Sequence, residues 1–209
     1  MYLPEHFVET RDCELHRLMR EHPLGILVTT DGGMLDADHI PFELDATAGA
    51  RGMLYAHVAR ANPLWQHADG KDVLVIFRGS EAYVSPNWYP SKHETHRQVP
   101  TWNYQVVHVH GRLKVRDDER FVRGLVARLT RTHEGGETKP WKLTDSSPDY
   151  IERMLAAIVG IEIEISTITG KSKLSQNKDE RDLHGVADNL EQRGASELAS
   201  AMLNLSGDK

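Results

Sequence analysis

The sequence lacks the features that disulfide-stapled, secreted and membrane-spanning proteins require. Its 209 residues include a single cysteine, Cys13, which excludes an internal disulfide and a thiolate metal site. The longest apolar runs, residues 24–28 and 73–77, are far too short to cross a bilayer, and the first ten residues lack the basic and apolar regions of a signal peptide. We therefore expect a cytoplasmic protein in which Cys13 is a small buried helix residue rather than a nucleophile.

The chain also lacks an excess of positive charge. It has 25 Lys and Arg against 31 Asp and Glu, a formal net charge of −6, whereas non-specific DNA affinity comes largely from Lys and Arg that release counterions from phosphates. The sequence contains neither a GxGxxG nor a P-loop motif, so a Rossmann or nucleotide-triphosphatase fold has no support. A local basic cluster at Lys171, Lys173, Lys178 and Arg181 can nevertheless serve one phosphate-bearing ligand.

Short apolar runs separated by turn residues dominate the chain. Hairpins with helices inserted at their edges favour a mainly β protein with added helices, built as an antiparallel barrel rather than a doubly wound sheet. We predict strands over residues 24–30, 34–44, 53–58, 72–79, 81–86, 103–115 and 160–169. We predict helices over residues 11–21, 61–68, 117–132 with Asp117 as N-cap, 147–157, and in two short pieces broken near Gly194 after residue 178.

One segment has no clear period. Residues 87–101 are rich in Pro, His, Lys and aromatic side chains and are too long for a passive turn, so we interpret them as a functional loop. In the strand that follows, the alternation places Val107 and Val109 on one face and His108 and His110 on the other. That pattern is typical of a half-buried strand.

Several segments combine polar groups that apolar packing does not require. They are ADHIPF (37–42), AHVARANP (56–63), VSPNWY (84–89) with Lys92, VPTWNY (99–104) and KSKLSQNK (171–178). Together with the start MYLPEHF, and in this order and spacing, they resemble the PaiB-type FMN-binding negative transcriptional regulators across essentially the whole chain.

This resemblance implies a split β-barrel of the FMN-binding type, an antiparallel Greek-key barrel related to pyridoxamine phosphate oxidases. It also implies FMN as the cofactor and a homodimer with each flavin at the subunit interface. Residues 1–170 would then form the FMN-binding domain with inserted helices. Residues 171–209 would form a basic segment and a helical tail that packs on the same domain or on the dimer partner.

The parts of FMN can be matched to side chains within these motifs. A phosphate calls for Arg forks, Lys charges and amide donors, and a flat ring calls for backbone amides at its edge and aromatic side chains at its face. The candidates are Arg60, Asn62, Lys173, Gln176 and Asn177 for the phosphate; Asp38, His39, Ile40 and Pro41 for the ring edge; Trp88, Tyr89 and Trp102 for the ring face; and His57, Ser85, Lys92 and Asn103 nearby. Residues 173–177 could serve the flavin of their own subunit or of the other.

Each of these candidates also has a structural interpretation. His39 and His57 could be hydrogen-bonded strand residues, the aromatic residues could pack in a core or an interface, and Arg60 and Lys173 could be solvated charges. The chain has twelve histidines, but the pairs His93/His96 and His108/His110 come with no evident third and fourth ligand, so we expect no metal site. A catalytic residue cannot be assigned.

Three functions remain open. The first is a regulatory flavoprotein that acts through a partner protein or metabolite. The one helix pair that could read DNA, residues 181–205, lies in a tail, residues 181–209, with three basic and five acidic residues. The second is an FMN-dependent oxidoreductase, pyridoxamine-phosphate-oxidase-like or flavin-reductase-like, with a second substrate near Lys92, His93 and His96. The third is a haem-binding barrel, which ranks last because no single histidine stands out as an axial ligand.

Overall fold

The computed structural model describes residues 1–207, in which strands and helices follow one another along the chain. Residues 208 and 209, the last two of the predicted tail, lie outside the described residues. The strands are β1 (Val8–Glu9), β2 (Leu24–Asp31), β3 (Met34–Pro41), β4 (Glu43–Asp45), β5 (Met53–Ala59), β6 (Asp72–Val84), β7 (Thr101–Arg116) and β8 (Ile158–Lys173). The helices are α1 (Asp12–Glu21), α2 (Leu64–His67), α3 (Pro90–Thr95), α4 (Glu119–Glu134), α5 (Pro148–Ala156), α6 (Glu180–Glu191) and α7 (Ser196–Gly207).

The strands join in one sheet. Their order is β3-β2-β6-β7-β8-β5-β4, and β1 pairs with β8 outside this order. The pairs β1–β8, β2–β3, β2–β6, β4–β5 and β5–β8 are all antiparallel. The mainly β, antiparallel architecture predicted from the hairpin pattern is therefore confirmed. None of the helices within residues 1–207 has the length and apolar content that crossing a bilayer requires.

Strand β7 shows why the alternation in the sequence produces this sheet. Side chains of successive strand residues point to opposite faces, so every second residue can be buried. Asn103, Gln105, Val107 and Val109 are buried, while His110 on the other face is exposed. The prediction of a half-buried strand is confirmed.

The predicted break between two strands at Gly79 is wrong, because β6 runs without interruption from Asp72 to Val84. Gly79 does not have the positive φ of a turn glycine. Its missing side chain instead makes room for a neighbour, since a Cβ at Gly79 would lie 2.8 Å from Leu18 Cδ2. Gly79 was predicted as a turn residue, but in the structure it allows close packing against a strand.

Two other local predictions also fail. Helix α4 begins at Glu119, and its N-cap is Asp118 rather than Asp117, because the Asp118 carboxylate accepts a hydrogen bond of 2.8 Å from the Phe121 amide. Cys13 is exposed rather than buried, because α1 directs Leu15, Leu18 and Met19 inward instead.

The chain divides into two compact units by its internal contacts. Unit 1 comprises Met1–Glu21, Arg78–Val107 and the residues from Thr169 onward, and unit 2 comprises His22–Phe77 and His108–Ile168. The predicted division into a domain of residues 1–170 and a tail from residue 171 remains a prediction.

The apolar core of unit 1 includes the C-terminal helices. Val84, Tyr89 and Leu174 form a cluster with buried side chains of α6 and α7, among them Leu183, Val186, Leu190, Leu198 and Met202. Gly194, with a φ of 78°, supplies the left-handed backbone conformation between the two helices. The predicted break near this glycine is confirmed.

In unit 2, α4 covers one face of β5. Tyr55 of β5 lies edge-on to Phe121 of α4, with ring centroids 5.9 Å apart. His57 shares that strand face with Tyr55, and its backbone lies opposite Gly160 of β8. A Cβ at Gly160 would lie 2.6 Å from Phe121 Cδ1, so the phenyl ring occupies the space over this glycine. Buried in this apolar setting, His57 Nδ1 has no hydrogen-bond partner within residues 1–207.

Replacing Gly111 by alanine should destabilise unit 2. A Cβ at this position would lie 2.4 Å from the Glu164 carbonyl oxygen and 2.6 Å from Ile163 Cγ2, so the strands would have to separate. We expect Gly111→Ala to lower the free energy of unfolding by about 1–3 kcal/mol, measured by urea denaturation. Gly136→Ala is the matched control, because nothing lies within 4 Å of a Cβ there. Equal stability of the two variants would contradict this close contact.

The stability of the protein should fall in mild acid because of His57. Burial lowers the pKa of His57 below its ordinary value of 6.5. When the pH falls below that ordinary value, His57 takes up a proton in the unfolded chain but resists protonation in the folded protein. The stabilisation present at higher pH is therefore lost. We expect the melting temperature of His57→Leu to change less between about pH 7.5 and 5.5 than that of the wild type. His133→Leu, at an exposed site, should retain the wild-type slope.

Candidate functional site

A basic cavity, here called the lysine cavity, lies at the end of β8 and in the turn that follows it, within unit 1. Its volume is about 230 Å³. Four of the predicted site residues, Tyr89, Asn103, Lys173 and Asn177, contribute to its lining, and Phe7, Val99, Thr101, Ser175 and Lys178 complete it. The structure therefore brings together motifs that are about 70 to 90 residues apart in the chain, as the 72-residue separation of Asn103 and Ser175 illustrates.

A buried hydrogen-bond network shapes the turn after β8. Ser175 has a φ of 64°, a left-handed conformation that is uncommon for a non-glycine residue. Its hydroxyl accepts a hydrogen bond of 2.9 Å from Asn103 Nδ2 and lies 3.5 Å from the Tyr89 hydroxyl. Gln176 holds the turn from within, because its amide accepts from the Leu174 backbone N–H at 2.8 Å and donates to the Ser172 carbonyl. Strained backbone held by surrounding contacts is frequent at ligand sites.

The lysine charges of this region are not compensated by carboxylates. Lys173 Nζ donates to Thr101 Oγ1 and to the Trp102 carbonyl, and Lys178 Nζ donates to Gln98 Oε1 at 2.7 Å. Lys171, only 7% exposed, donates to the Tyr2 carbonyl at 3.2 Å. Within residues 1–207 none of these three lysines is in an ion pair with an acidic side chain.

Burial lowers the pKa of Lys173, and the positive charges of Lys171 and Lys178 lower it further. The protonated form of Lys173 is thus held at a cost, which a bound anion would offset. The chemistry of this cavity is that of an anion site.

The N-terminal segment covers the same part of β8. Val8 and Glu9 of β1 lie opposite Lys171 and Gly170. The Phe7 ring is buried and lies 5.8 Å from Lys173 Nζ. The starting segment MYLPEHF, which belongs to the family resemblance, therefore contributes a wall of the cavity.

The predicted functional loop is partly helical and is anchored to α6. Its helix α3 contributes Ser91, whose backbone N–H donates to the buried Asp182 carboxylate at 2.9 Å. Glu94 of the same helix accepts two hydrogen bonds of 2.8 Å from the Arg181 guanidinium. These contacts hold the loop in one place within unit 1.

Three predicted site residues in this loop or just before it lie outside the cavity. Ser85 accepts from the Asn87 backbone N–H at 3.3 Å, and Lys92 donates to Asn87 Oδ1 at 2.8 Å. Trp88 lies under the Arg193 guanidinium, 4.6 Å from its ring centroid. Their predicted roles in flavin binding remain predictions.

The three candidate ring-face aromatics differ sharply in exposure. Tyr89 is 1% exposed and belongs to the core of unit 1, and Trp88 packs against that core. Trp102 is 54% exposed, and its ring lies 6.1 Å from that of Tyr83, which is exposed as well. Of these three, Trp102 has the accessible ring face.

A second group of predicted site residues comes together in unit 2. Asn62 Nδ2 donates to Asp38 Oδ1 at 2.8 Å, which joins the ADHIPF and AHVARANP motifs. Asn62 Oδ1 also accepts from the Leu64 backbone N–H at 2.8 Å and thereby shapes the start of α2. His39 and Pro41 are exposed on β3, while Ile40 between them is buried.

Arg60 is engaged in structural contacts. Its guanidinium donates to both carboxylate oxygens of Asp117, at 2.8 and 2.6 Å, and to the carbonyls of Ala156 and Ile158, at 2.8 and 3.1 Å. These hydrogen bonds lower the pKa of Asp117. The adjacent cavity of about 430 Å³ is also lined by Glu119 and Glu152, so its charge does not suit a phosphate. The predicted role of Arg60 in phosphate binding remains untested, as does that of His57 beneath α4.

Sequence reasoning did not include Phe7, Val99, Thr101 and Ser175 among the site residues, and it named Lys178 only as a member of the basic cluster. Each of them lies inside a segment that the resemblance had marked. The sequence could therefore identify the segments of the site but not each residue in it. Ser175, for example, lines the cavity because of its positive φ, which cannot be predicted from a serine.

Comparison with known proteins supports these motifs as a family signature. Residues 1–167 match the family described as "Putative FMN-binding domain". The chain is 33% identical to the protease synthase and sporulation protein PAI 2 of Bacillus subtilis over 210 aligned positions, covering 100% of this chain and 98% of that protein. It is 31% identical to an uncharacterized protein of Emericella nidulans, covering 93% and 92% of the two chains.

Solved structures share the fold at low sequence identity. The flavocytochrome Anf3 of Azotobacter vinelandii gives a TM-score of 0.62 at 14% identity, with 87% of this chain and 77% of that one covered. The FAD and haem binding protein of Mycobacterium smegmatis gives a TM-score of 0.61 at 18% identity, with 84% and 78% covered. The predicted fold class, a split β-barrel of the flavin-binding type with added helices, is confirmed.

The family match agrees with the resemblance carried by the motifs and confirms FMN as the predicted cofactor. Both the family match and the full-length relative cover far more than half of the chain. The chain therefore belongs to the PaiB-type family of FMN-binding proteins.

Proposed function

We propose that this protein binds the phosphate of FMN in the lysine cavity and acts in regulation through a partner protein or metabolite, without reading DNA itself. The observation that carries the proposal is the cavity around Lys173, where cationic and polar donors converge and no carboxylate contributes to the lining formed by the described residues. In this proposal the flavin supplies redox or ligand-sensing capacity, and the chain supplies binding and orientation.

The donors of the cavity fit a phosphate. Lys173 and Lys178 supply charge, and Thr101, Ser175 and Asn177 supply hydroxyl and amide groups. The volume of about 230 Å³ is below the roughly 300 Å³ at which pockets begin to hold a whole drug-sized ligand. The cavity therefore fits one end of FMN, and the phosphate is the end that its charge favours.

Arg60 is less suited to this task than Lys173. The hydrogen bonds from its guanidinium to Asp117 and to two backbone carbonyls already occupy its donors, and acidic side chains surround it. We infer that Arg60 stabilises the start of β8 in unit 2. The ring-edge role of Asp38, His39, Ile40 and Pro41 remains a proposal that does not depend on Arg60.

We also propose the homodimer with flavin at the subunit interface that the family resemblance implies. Met34 and Leu35, at the turn between β2 and β3, are each 77% exposed, which is an unusual place for large apolar side chains unless a partner covers them. Mixed dimers of wild-type and Lys173→Met subunits would show whether the lysine cavity serves the flavin of its own subunit or of the other. The cytoplasm remains the predicted location, in keeping with the single cysteine.

The C-terminal helices do not offer a DNA-reading surface. The apolar faces of α6 and α7 are used in the core of unit 1. Exposed on α6 are Glu180, Arg181, His184, Asp188 and Glu191, and Arg181 is already paired with Glu94. A helix with this charge would repel phosphates rather than neutralise them.

An FMN-dependent oxidoreductase is the second candidate function. The exposed Trp102 and Tyr83 rings lie edge to face with centroids 6.1 Å apart, and such an aromatic surface suits a planar second substrate. Bleaching of bound FMN by NADH or NADPH under anaerobic conditions would favour this function. A haem role, prompted by the haem named for one protein of this fold, is weaker, because none of the described residues that line the cavity is a histidine.

Replacing Lys173 should separate FMN binding from riboflavin binding. Charge-assisted hydrogen bonds contribute about 1.5–3 kcal/mol, so Lys173→Met should weaken FMN binding about 10- to 100-fold, measured by quenching of flavin fluorescence. Riboflavin, which has no phosphate, should bind both proteins equally. Lys71→Met, at an exposed lysine outside the cavity, is the charge-matched control. A wild type that binds riboflavin as tightly as FMN would refute the phosphate site.

Direct DNA binding should be weak. With a net charge of −6 and an acidic C-terminal tail, the FMN-loaded protein should show only salt-sensitive, sequence-independent affinity in fluorescence anisotropy. The affinity should be weaker than about 10⁻⁶ M at physiological salt, the tight end of ordinary non-specific binding. Sequence-selective binding in the nanomolar range would contradict regulation through a partner.

A further inference from the structure

Residues 2–9, here called the strap, lie along β8 and contribute Phe7 to the wall of the lysine cavity. Two β1 residues, Val8 and Glu9, pair with Lys171 and Gly170 of β8. The strap approaches this strand closely, since a Cβ at Gly170 would lie 3.1 Å from the Glu9 carbonyl oxygen. The absence of a side chain at Gly170 is thus a condition for the strap to lie where it does.

Two ends of the strap are tied down by polar contacts. Glu9 is only 5% exposed, and its carboxylate accepts from the Arg11 backbone N–H at 3.0 Å and from the Arg11 guanidinium at 3.0 and 2.9 Å. At the other end, the Tyr2 carbonyl accepts from Lys171 Nζ, and the Tyr2 ring lies 5.8 Å from that ammonium group. The strap therefore has a defined position over β8.

Between these two ends the strap places Phe7 against the cavity. Phe7 is 8% exposed and lines the cavity together with Tyr89, Asn103 and Ser175, which are themselves 1%, 0% and 4% exposed. Tyr89, Asn103 and Ser175 are held by their own hydrogen-bond network, so their side of the cavity cannot yield readily. Phe7 is the large wall residue that lies outside this network.

A cavity with such walls admits a group that terminates inside it. The phosphate of FMN is a monoester and ends in free oxygens, whereas the corresponding phosphate of FAD continues through a second phosphate into adenosine. A continuing chain would need a second opening. The walls formed by Phe7, Tyr89 and Asn103 provide none on their side of the cavity.

We propose that Phe7, held by the N-terminal strap, is a specificity residue that limits the lysine cavity to terminal phosphomonoesters, so that the protein accepts FMN and excludes FAD. This inference rests on the proposed phosphate site. The fold alone does not determine whether FMN or FAD is bound, because a protein of the same fold from Mycobacterium smegmatis is named as an FAD and haem binding protein. The choice of flavin must therefore lie in local residues.

The test is titration of the purified full-length chain with FMN, FAD and riboflavin, followed by flavin fluorescence and calorimetry. Wild type should bind FMN at least about tenfold more tightly than FAD. In Phe7→Ala the affinity for FAD should rise, so that the preference for FMN over FAD falls about tenfold. The affinity for riboflavin should change little. The matched control is Val8→Ala, because Val8 is the neighbouring strap residue and its side chain is 38% exposed. That variant should keep the wild-type preference.

Separate outcomes decide the site and the specificity. If wild type shows no preference for FMN over riboflavin, the phosphate site itself fails. If wild type prefers FMN over riboflavin but binds FAD equally well, the site stands and the specificity inference is overturned. The inference is also overturned if Phe7→Ala melts like wild type, retains FMN and still excludes FAD.

Loss of the large Phe7 side chain could also unfold the strap. In that case Phe7→Leu is the variant to test, because leucine keeps the apolar packing but has a shorter side chain. An increase in FAD affinity in Phe7→Leu, with an unchanged melting temperature, supports the wall assignment. Unchanged exclusion of FAD in Phe7→Leu, although its shorter side chain opens the wall, counts against it.

Discussion

Close packing against the backbone of β8 is the constraint on which the described structure depends. At Gly160 the strand has no side chain, and Phe121 of α4 occupies the space that a Cβ would need. At Gly170 the same absence admits Leu15 of α1, because a Cβ there would lie 2.2 Å from Leu15 Cδ2. Each glycine lets a helix lie directly on the strand within its own unit. A larger residue at either position would displace the element that covers it.

The lysine cavity follows from this arrangement in unit 1. Because the strap lies flat on β8 beside Gly170, it brings Phe7 over Lys173 and buries Lys171. Buried ammonium groups without carboxylate partners are costly, and their mutual repulsion adds to that cost. In the proposed function, a bound phosphate would recover part of this free energy and would thereby stabilise unit 1. The hydrogen bonds between Asn103, Ser175 and Tyr89 keep the turn rigid while this happens.

Unit 2 uses its charges differently. Arg60 and Asp117 satisfy each other, and Arg128 of α4 pairs with Glu43 of β4 at 2.8 Å. These two ion pairs help to fix the position of α4, and neither arginine is left to bind an anionic ligand. The sequence does not distinguish the paired arginines of unit 2 from the lysines of the cavity. The structure does, because only the arginines have a carboxylate of the described residues within hydrogen-bonding distance.

The sequence by itself determined the elements with strong local signals. Alternation predicted β7 and β8, and Gly194 predicted the break between α6 and α7, because period and backbone conformation are local properties. It also determined the family, since the motifs keep their order and spacing along the chain. Only the tertiary structure decided that Arg60 is paired, that Tyr89 is buried and that Phe7 lines the cavity, because these facts depend on residues far apart in the chain meeting in space. Gly79 shows the same limit, since a glycine that permits a turn and one that permits close packing are identical until the neighbouring side chain is in place.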